Sequence, residues 1–351
     1  MMIAITGGGT GGHLAIANAL KEELNSRGLK PIFIGSKNGQ DKSWFENDQG
    51  FEKTYFLDSK GVVNRRGIKK LLVLKDIIKS AFTCKDIFKK HNVKAVFCVG
   101  GYSAAPASFA SLLTRTPLYI HEQNAVIGTL NKILKPFSKE FFSSYDKNSK
   151  VKEYPVSDKF FTSRRVRDEL KTIIFLGGSQ GANFINKLAM KLAPRLLENN
   201  INIIHQTGKN DYSICKEFYE KNFLHVECFA FSKTLLDSLK KADFAVSRAG
   251  ASTLWELSAN SLPTLFIPYP HAAKNHQYFN AKVLVDKNAT LLKTEDELDD
   301  KILWKIIEDL NIEQISKNLS IIIKKDGIKI VADIILKNKN LKWCARQESN
   351  L

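Results

Sequence analysis

The sequence predicts an α/β protein of two doubly wound parallel sheets, one in each half of the chain. Three observations predict it. Strand-like apolar runs alternate with helix-like patterns through residues 1–155, as successive βα units do. The same alternation restarts at Thr172. Each half also opens with a strand that runs into a glycine-rich turn. Met1–Ile5 leads into Gly7-Gly8-Gly9-Thr10-Gly11-Gly12-His13, and Thr172–Leu176 leads into Gly177-Gly178-Ser179-Gln180-Gly181-Ala182.

The first turn says most about chemistry. Its glycines allow φ > 0 and let backbone come close to a ligand. The helical pattern Leu14–Leu24 follows, and the N–H groups at a helix start favour negative charge. A phosphate or pyrophosphate is the natural guest. Gly7, Gly9 and Gly12 satisfy the G-x-G-x-x-G of a nicotinamide dehydrogenase, which wants an acidic residue closing the second strand, roughly 20 residues on. Here Pro31–Ile34 closes with Gly35-Ser36-Lys37, and Asp41 lies too far into the loop. A P-loop would place Lys-Ser/Thr after the last glycine, where this chain has His13-Leu14. The third reading is a tight turn with no ligand, but five glycines in six positions are more than a turn needs.

In chain order, the first half gives strands at Met2–Thr6, Pro31–Gly35, Val93–Val99 and Pro117–His121, with helices at Ala15–Ser26, Leu71–Lys90 and Ala105–Thr114. Val93–Val99 is nearly continuous apolar, as a strand covered on both faces should be. From Tyr145 to Lys171 the pattern lapses into a polar, basic segment with Pro155 and Arg164-Arg165-Val166-Arg167, read as a linker. The second half gives strands at Thr172–Leu176, Ile201–Gln206, Phe244–Ser247 and Pro263–Pro268, and helices at Asn183–Leu197 and Asn275–Lys287. In such sheets ligands bind beyond the carboxyl ends of the strands, where both glycine turns lie. Lys301–Lys342 reads as helical and basic. The tail from Trp343 to Leu351 fits no element. Its residues can be encoded by the complement of a transfer-RNA 3′ end, so it is read as non-functional read-through, which the nucleotide sequence would test.

Composition narrows the class. The chain has 351 residues, 44% hydrophobic and 25% charged, which is globular and long enough for two domains. A net charge of +17 favours anionic partners: nucleic acid, acidic lipid headgroups or phosphorylated substrates. The five cysteines, Cys84, Cys98, Cys215, Cys228 and Cys344, are odd in number, widely spaced and without C-x-x-C, as expected of reduced thiols. Cys98 and Cys228 read as buried small hydrophobes. The first strand begins at once, so no signal peptide is expected, and no apolar run approaches the ~20 residues of a membrane span.

The two glycine turns, together with later motifs, resemble the MurG family of peripheral glycosyltransferases. The motifs are Gly100-Gly101-Tyr102, His121-Glu122-Gln123-Asn124, His205-Gln206-Thr207-Gly208-Lys209, Ser247-Arg248-Ala249-Gly250-Ala251-Ser252-Thr253 with Glu256, Pro268–Ala273, and His276-Gln277 with Asn280-Ala281. The resemblance runs to about residue 340. It implies a GT-B fold, two Rossmann-like domains facing a deep cleft: 1–155 for a lipid acceptor and 156–324 for UDP-N-acetylglucosamine, with a last helix, 325–342, returning to the first domain. It implies inverting transfer of N-acetylglucosamine to the muramyl C4 hydroxyl of lipid I, giving lipid II, with no metal or other cofactor. A different membrane-lipid acceptor is the alternative. The implied partners are these two substrates, an anionic membrane surface at the cytoplasmic face and other cell-wall proteins, with no nucleic acid.

The same resemblance assigns the residues. Thr10, Gly11, Gly12, Asn124, Ser179, Ala251, Ser252, Thr253, Leu254, Trp255, Glu256 and Gln277 would bind UDP-N-acetylglucosamine, with Glu256 on the ribose hydroxyls and Gln277 on the sugar. Tyr102, His121 and Asn186 would shape the acceptor pocket. His13 is the candidate general base, since an imidazole titrates near working pH, and Glu122 is the reserve. Bland readings stand beside these. Ser179 suits a helix N-cap, Glu256 a first-turn acid, Gln277 a solvated helix position, and His13 a residue that caps the loop or orients the acceptor.

There is one departure. The family usually has Asn-Pro-Val-Arg near the linker, with the arginine near the uracil; this chain reads Tyr154-Pro155-Val156-Ser157. Either the contact is lost or Arg164 or Arg165 takes it over. The backbone position for the uracil falls near Phe229–Ser232. From Gly61 to His91, lysines and apolar residues interleave at helical spacing, which suits an anionic bilayer or a crossover helix with a solvated basic face. A nicotinamide oxidoreductase lacks its acidic residue here. A non-enzymatic basic protein would leave both glycine turns and the His121–Asn124 cluster without purpose.

Overall fold

The computed structural model describes residues 1–59, 61, 68–178, 181–232 and 235–337. Ser179, the tail 343–351 and the Arg65-Arg66 pair of the basic stretch lie outside the described residues. The chain divides into two compact units. One comprises 1–123, 127–155 and the chain from 326 on; the other comprises 124–126 and 156–325.

The first unit runs β1 (Met2–Thr6), α1 (Gly11–Ser26), β2 (Ile32–Ser36), α2 (Asp41–Phe45), β3 (Lys53–Leu57), α3 (Ile68–His91), β4 (Val93–Cys98), α4 (Ala105–Leu113), β5 (Leu118–His121), α5 (Thr129–Leu134) and β6 (Glu140–Phe142). Its sheet is parallel throughout, in the order β3-β2-β1-β4-β5-β6. The strands bury both faces: Ala4, Ile32, Ile34, Val96 and Ile120 pack with Cys84, Ile87 and Phe88 of α3. Each such large apolar side chain contributes about 1.5–3 kcal/mol. That burial fixes where the turns at the strand ends must lie.

The second unit runs α6 (Asp158–Thr162), β7 (Thr172–Leu176), α7 (Asn183–Glu198), β8 (Asn202–Gln206), α8 (Tyr212–Lys221), β9 (Glu227–Phe229), α9 (Leu235–Lys241), β10 (Phe244–Ser247), α10 (Ala251–Ala259), β11 (Thr264–Phe266), α11 (His276–Val285), β12 (Leu291–Leu292), α12 (Asp300–Glu308) and α13 (Ile312–Ile322). Its sheet is again parallel, in the matching order β12-β11-β10-β7-β8-β9. Ile173, Phe175, Phe244 and Val246 pack against Ile185, Leu188, Leu192 and Leu196 of α7.

The basic stretch from Lys301, read as helical, holds three helices: α12, α13 and α14 (Gly327–Leu336), the last of them within the range given for the final helix. α14 belongs to the first unit, where Arg27 donates to Asp333 at 2.6 Å and Gly327 lies against the carbonyl of Glu153. Its start needs Asp326 at φ 77°, a left-handed residue that breaks the helical run. β3, β6, β9 and β12 are absent from the sequence reading because they are short or half-exposed margins of the sheets, without a buried apolar run. Cys98 is buried as expected, but Cys228 is only half-buried, on the edge strand β9.

Candidate active site

In the first unit, β1 delivers the chain into Gly7–Gly9 and α1 begins at Gly11. The turn is held from two sides. Gly8 N–H donates to the Gly100 carbonyl at 3.2 Å, and Gly9 N–H donates to Asp41 Oδ1 at 2.5 Å. Gly9 has φ 82°, and a Cβ there would stand 2.7 Å from the Tyr102 ring, so both conformation and space require glycine. Thr10 makes no side-chain N-cap bond; its hydroxyl pairs with His13 Nδ1 at 2.9 Å. The other edge of that imidazole lies over Gly100, where a Cβ would be 3.3 Å from Nε2.

His121, at the end of β5, feels the charge of this imidazole, and Asn131 lies with it against Gly100. Glu122 is buried, and its Oε2 accepts from Gly128 N–H and from the Asn131 amide, each at 2.9 Å. The carboxylate thus closes the loop into α5. His121 is 2% exposed and meets the Tyr154 ring edge-on, at 5.5 Å between centroids. Burial and the neighbouring His13 push its pKa down to about 3, so it is neutral. It lies just beneath the surface. Tyr102 donates its hydroxyl to the Asn38 carbonyl at 2.6 Å and covers Gly9 with its ring. Burial first, then the Asp41 charge, raises its pKa.

In the second unit, Gly177 and Gly181 lie against the carbonyls of Gln206 and Thr207, too close for a side chain at Gly181. The resemblance puts Asn186 in the acceptor pocket with Tyr102 and His121; it lies in the second unit, buried under the turn, with its amide bonded within the protein. Nδ2 donates to the Thr207 carbonyl at 3.0 Å and to Asp211 at 2.8 Å. Oδ1 must then accept from His205 Nε2–H at 3.0 Å, which leaves His205 Nδ1 to accept from the Tyr219 hydroxyl at 2.8 Å. This chain needs a neutral imidazole, and burial pushes the His205 pKa down to about 3.

α10 begins after Gly250, and its first hydrogen bond within the helix is Leu254 N–H to the Gly250 carbonyl, so the N–H groups of Ala251, Ser252 and Thr253 belong to no intrahelical bond. Ser252 Oγ donates to Glu256 Oε1 at 3.0 Å, while burial raises the Glu256 pKa. Leu254 and Trp255 turn into the core, so neither side chain is presented as a ligand contact. Asn280 is fully buried and joins three segments: its Oδ1 accepts from Ala125 N–H at 2.8 Å, and its Nδ2 reaches Asn124 Oδ1 at 3.2 Å and the Ala249 carbonyl at 3.3 Å. Asn124 is thereby brought beside the start of α10. Gln277 Oε1 accepts from Tyr269 N–H at 2.9 Å.

Arg248 ties the neighbouring loop down. It donates to the Ile267 and Pro268 carbonyls and pairs with Glu295 at 2.5 Å. The sequence places Arg248 in a motif but gives it no role, because its partners come from two distant loops. Arg164 and Arg165, the two candidates to replace the arginine missing at Ser157, both have partners within the protein. Arg164 is committed to the carbonyls of Ala259, Ser320 and Ile323, and Arg165 to Asp243 and Ala242. Thr10, Gly11 and Gly12 sit in the first unit; Asn124, Ala251–Glu256 and Gln277 sit in the second. Among the described residues, no group of three or more His, Cys, Asp or Glu could hold a metal ion.

Two parallel sheets of matching order, each with a glycine turn after the strand that begins its half, together with a helix start beside a half-buried glutamate, define a GT-B glycosyltransferase. Comparison with known proteins agrees in both halves. Residues 3–143 match the glycosyltransferase family 28 N-terminal domain, and residues 172–328 match the family's C-terminal domain. Over 327 residues, 93% of this chain and 95% of the relative, it is 54% identical to the UDP-N-acetylglucosamine--N-acetylmuramyl-(pentapeptide) pyrophosphoryl-undecaprenol N-acetylglucosamine transferase of Campylobacter jejuni. The protein of the same name from Wolinella succinogenes is 50% identical over 96% of this chain and 100% of its own length. The crystal structure of Acinetobacter baumannii MurG matches with a TM-score of 0.77 at 27% identity, covering 96% of this chain and 99% of that one. The chain belongs to the MurG family.

Proposed function

We propose that this chain transfers N-acetylglucosamine from UDP-N-acetylglucosamine to the C4 hydroxyl of the muramyl sugar of lipid I, with inversion, giving lipid II for peptidoglycan synthesis. The observation that carries the donor side is the Asn280 junction, which joins Asn124 to the Ala249 carbonyl just ahead of α10, whose first N–H groups have no intrahelical bond. Those N–H groups and the helix dipole take the charge that develops on the diphosphate. Glu256 accepts from the ribose hydroxyls, and Asn124 and Gln277 orient the sugar. His13 takes the acceptor's proton at Nε2. This requires the tautomer with hydrogen on Nδ1, donating to the Thr10 hydroxyl. The acceptor oxygen forms its bond to C1 as the bond from C1 to the phosphate oxygen breaks, and UDP leaves with that electron pair. No metal enters these steps.

The first unit also carries the face suited to the membrane at the cytoplasmic side. Val73, Ile77, Ala81 and Cys84 of α3 are buried, while Leu74, Ile78 and Phe82 are exposed on another face with Lys75, Lys79 and Lys85. Each lysine near an anionic surface contributes about 1 kcal/mol. Among the described residues, no helix is long and apolar enough to cross a membrane.

The test is labelled UDP-N-acetylglucosamine with lipid I in anionic vesicles, with chelator in place of divalent metal. A labelled disaccharide lipid is expected, and high salt should release the protein from the vesicles. Absence of product, or product only with a different lipid acceptor, would overturn this reading.

A further inference from the structure

The first glycine turn already holds an anion of its own. Asp41 is fully buried, and both of its oxygens accept from backbone: Oδ1 from Gly9 N–H at 2.5 Å and Oδ2 from Ser36 N–H at 2.8 Å. The carboxylate fills space that two glycines leave. A Cβ on Gly8 would stand 2.5 Å from Oδ1, and a Cβ on Gly35 would stand 2.8 Å from Oδ2. Asp41 cannot drift from this place, because Phe45, four residues on, packs its ring at 4.7 Å from Phe33 and 5.0 Å from Phe51. Gly39 lies against Gly9, and Tyr102 bonds Asn38 in the same loop. The segment Ser36–Asp41 is thus latched onto the turn, with the carboxylate as the bolt.

We propose that Asp41 is a positioning residue for the transfer reaction. It occupies the Gly9 N–H, so the turn presents to an acceptor's phosphates only the N–H groups at the start of α1, and it sets the angle at which His13 leaves that helix. This rests on the reading that the acceptor binds the first unit. A carboxylate bound by two backbone donors is worth more than a neutral partner. An asparagine of the same shape has one oxygen for two N–H groups and turns a donor on a donor.

The test compares the full-length chain with Asp41→Ala and Asp41→Asn, measuring melting temperature and steady-state kinetics toward both substrates. For Asp41→Ala, kcat/KM for the lipid acceptor should fall on the order of tenfold to a hundredfold, as a misplaced group near the chemistry does. KM for UDP-N-acetylglucosamine should stay within about twofold, because Asn124, Glu256 and Gln277, which hold the donor in the proposed function, belong to the other unit, and the first turn is here given to the acceptor in place of the donor contacts that the resemblance assigns to Thr10, Gly11 and Gly12. Sodium formate, against sodium chloride at equal ionic strength, should raise both the melting temperature and the acceptor kcat/KM of Asp41→Ala, and should do neither for wild type. Asp41→Asn should show the same acceptor defect without rescue. The proposal is overturned if donor and acceptor constants move together, if neither moves, or if formate has no effect. It is also overturned if Asp41→Ala fails to melt cooperatively with formate present, since the carboxylate would then hold up the whole unit. Should wild type make no product, the functional reading fails while the formate effect on melting still judges the resident anion.

Discussion

The two glycine turns occupy the same place in two sheets of the same order, yet their surroundings differ. In the first, a protein carboxylate takes a glycine N–H, and an imidazole stands at the helix start with its Nδ1 held by Thr10. In the second, Asp211 accepts from the Asn186 amide, which leads into the neutral chain of His205 and Tyr219. A βα turn supplies anion-favouring N–H groups wherever it occurs. What lies behind the turn differs between the two units: a carboxylate on a glycine N–H in the first, a neutral side-chain relay in the second. On the proposed function, the first turn serves proton transfer, and the second lies in the unit that holds the nucleotide.

The largest expected effect breaks that contrast at its reactive end. His13→Ala should lower kcat by about 10²–10⁴-fold, the usual worth of a general base. UDP binding, measured by titration calorimetry, should not change. Near-normal turnover would remove the base and leave the first turn as scaffold alone.

A medium effect concerns the two buried imidazoles, His121 near the first turn and His205 under the second. Both have folded-state pKa values pushed down to about 3 from an ordinary 6.5. The unfolded chain therefore binds more protons, so stability is complete above pH 6.5 and is lost as pH falls toward 3. At pH 5 each imidazole should cost about 2 kcal/mol. The melting temperature should fall between pH 7 and pH 5, and His205→Gln should be less pH-sensitive than wild type. An unchanged slope in that variant would mean His205 is not held neutral by the Asn186–Tyr219 chain.

The parallel sheets were legible because central strands buried on both faces must be nearly continuous apolar runs, as Val93–Cys98 and Thr172–Leu176 are. The glycine turns and the start of α10 were legible because a local backbone need selects local residue types. The junctions were not. Asp41 meets Gly9 across 32 residues, Asn280 meets Asn124 across 156, and Arg164 reaches Ile323 across 159. Each is a polar side chain in a loop or helix whose own neighbours carry no trace of the partner. That is why Asp41 read as misplaced for a ribose, and why Arg164 read as available for a uracil.

The smallest expected effect separates the two candidates for proton transfer. One oxygen of Glu122 receives both the Gly128 N–H and the Asn131 amide, and the carbonyl oxygen of a glutamine can stand in that position and accept the same two bonds. Glu122→Gln should therefore cost no more than about 1–2 kcal/mol of stability, from the weaker neutral acceptor. It should lower kcat less than about tenfold and leave the shape of the pH–rate profile unchanged. A base cannot survive that substitution, since an amide does not accept a proton near neutral pH. If Glu122→Gln fell as far as His13→Ala, the imidazole would be the orienting group and the carboxylate the acceptor of the proton, and the loop into α5 would belong to the chemistry instead of its support.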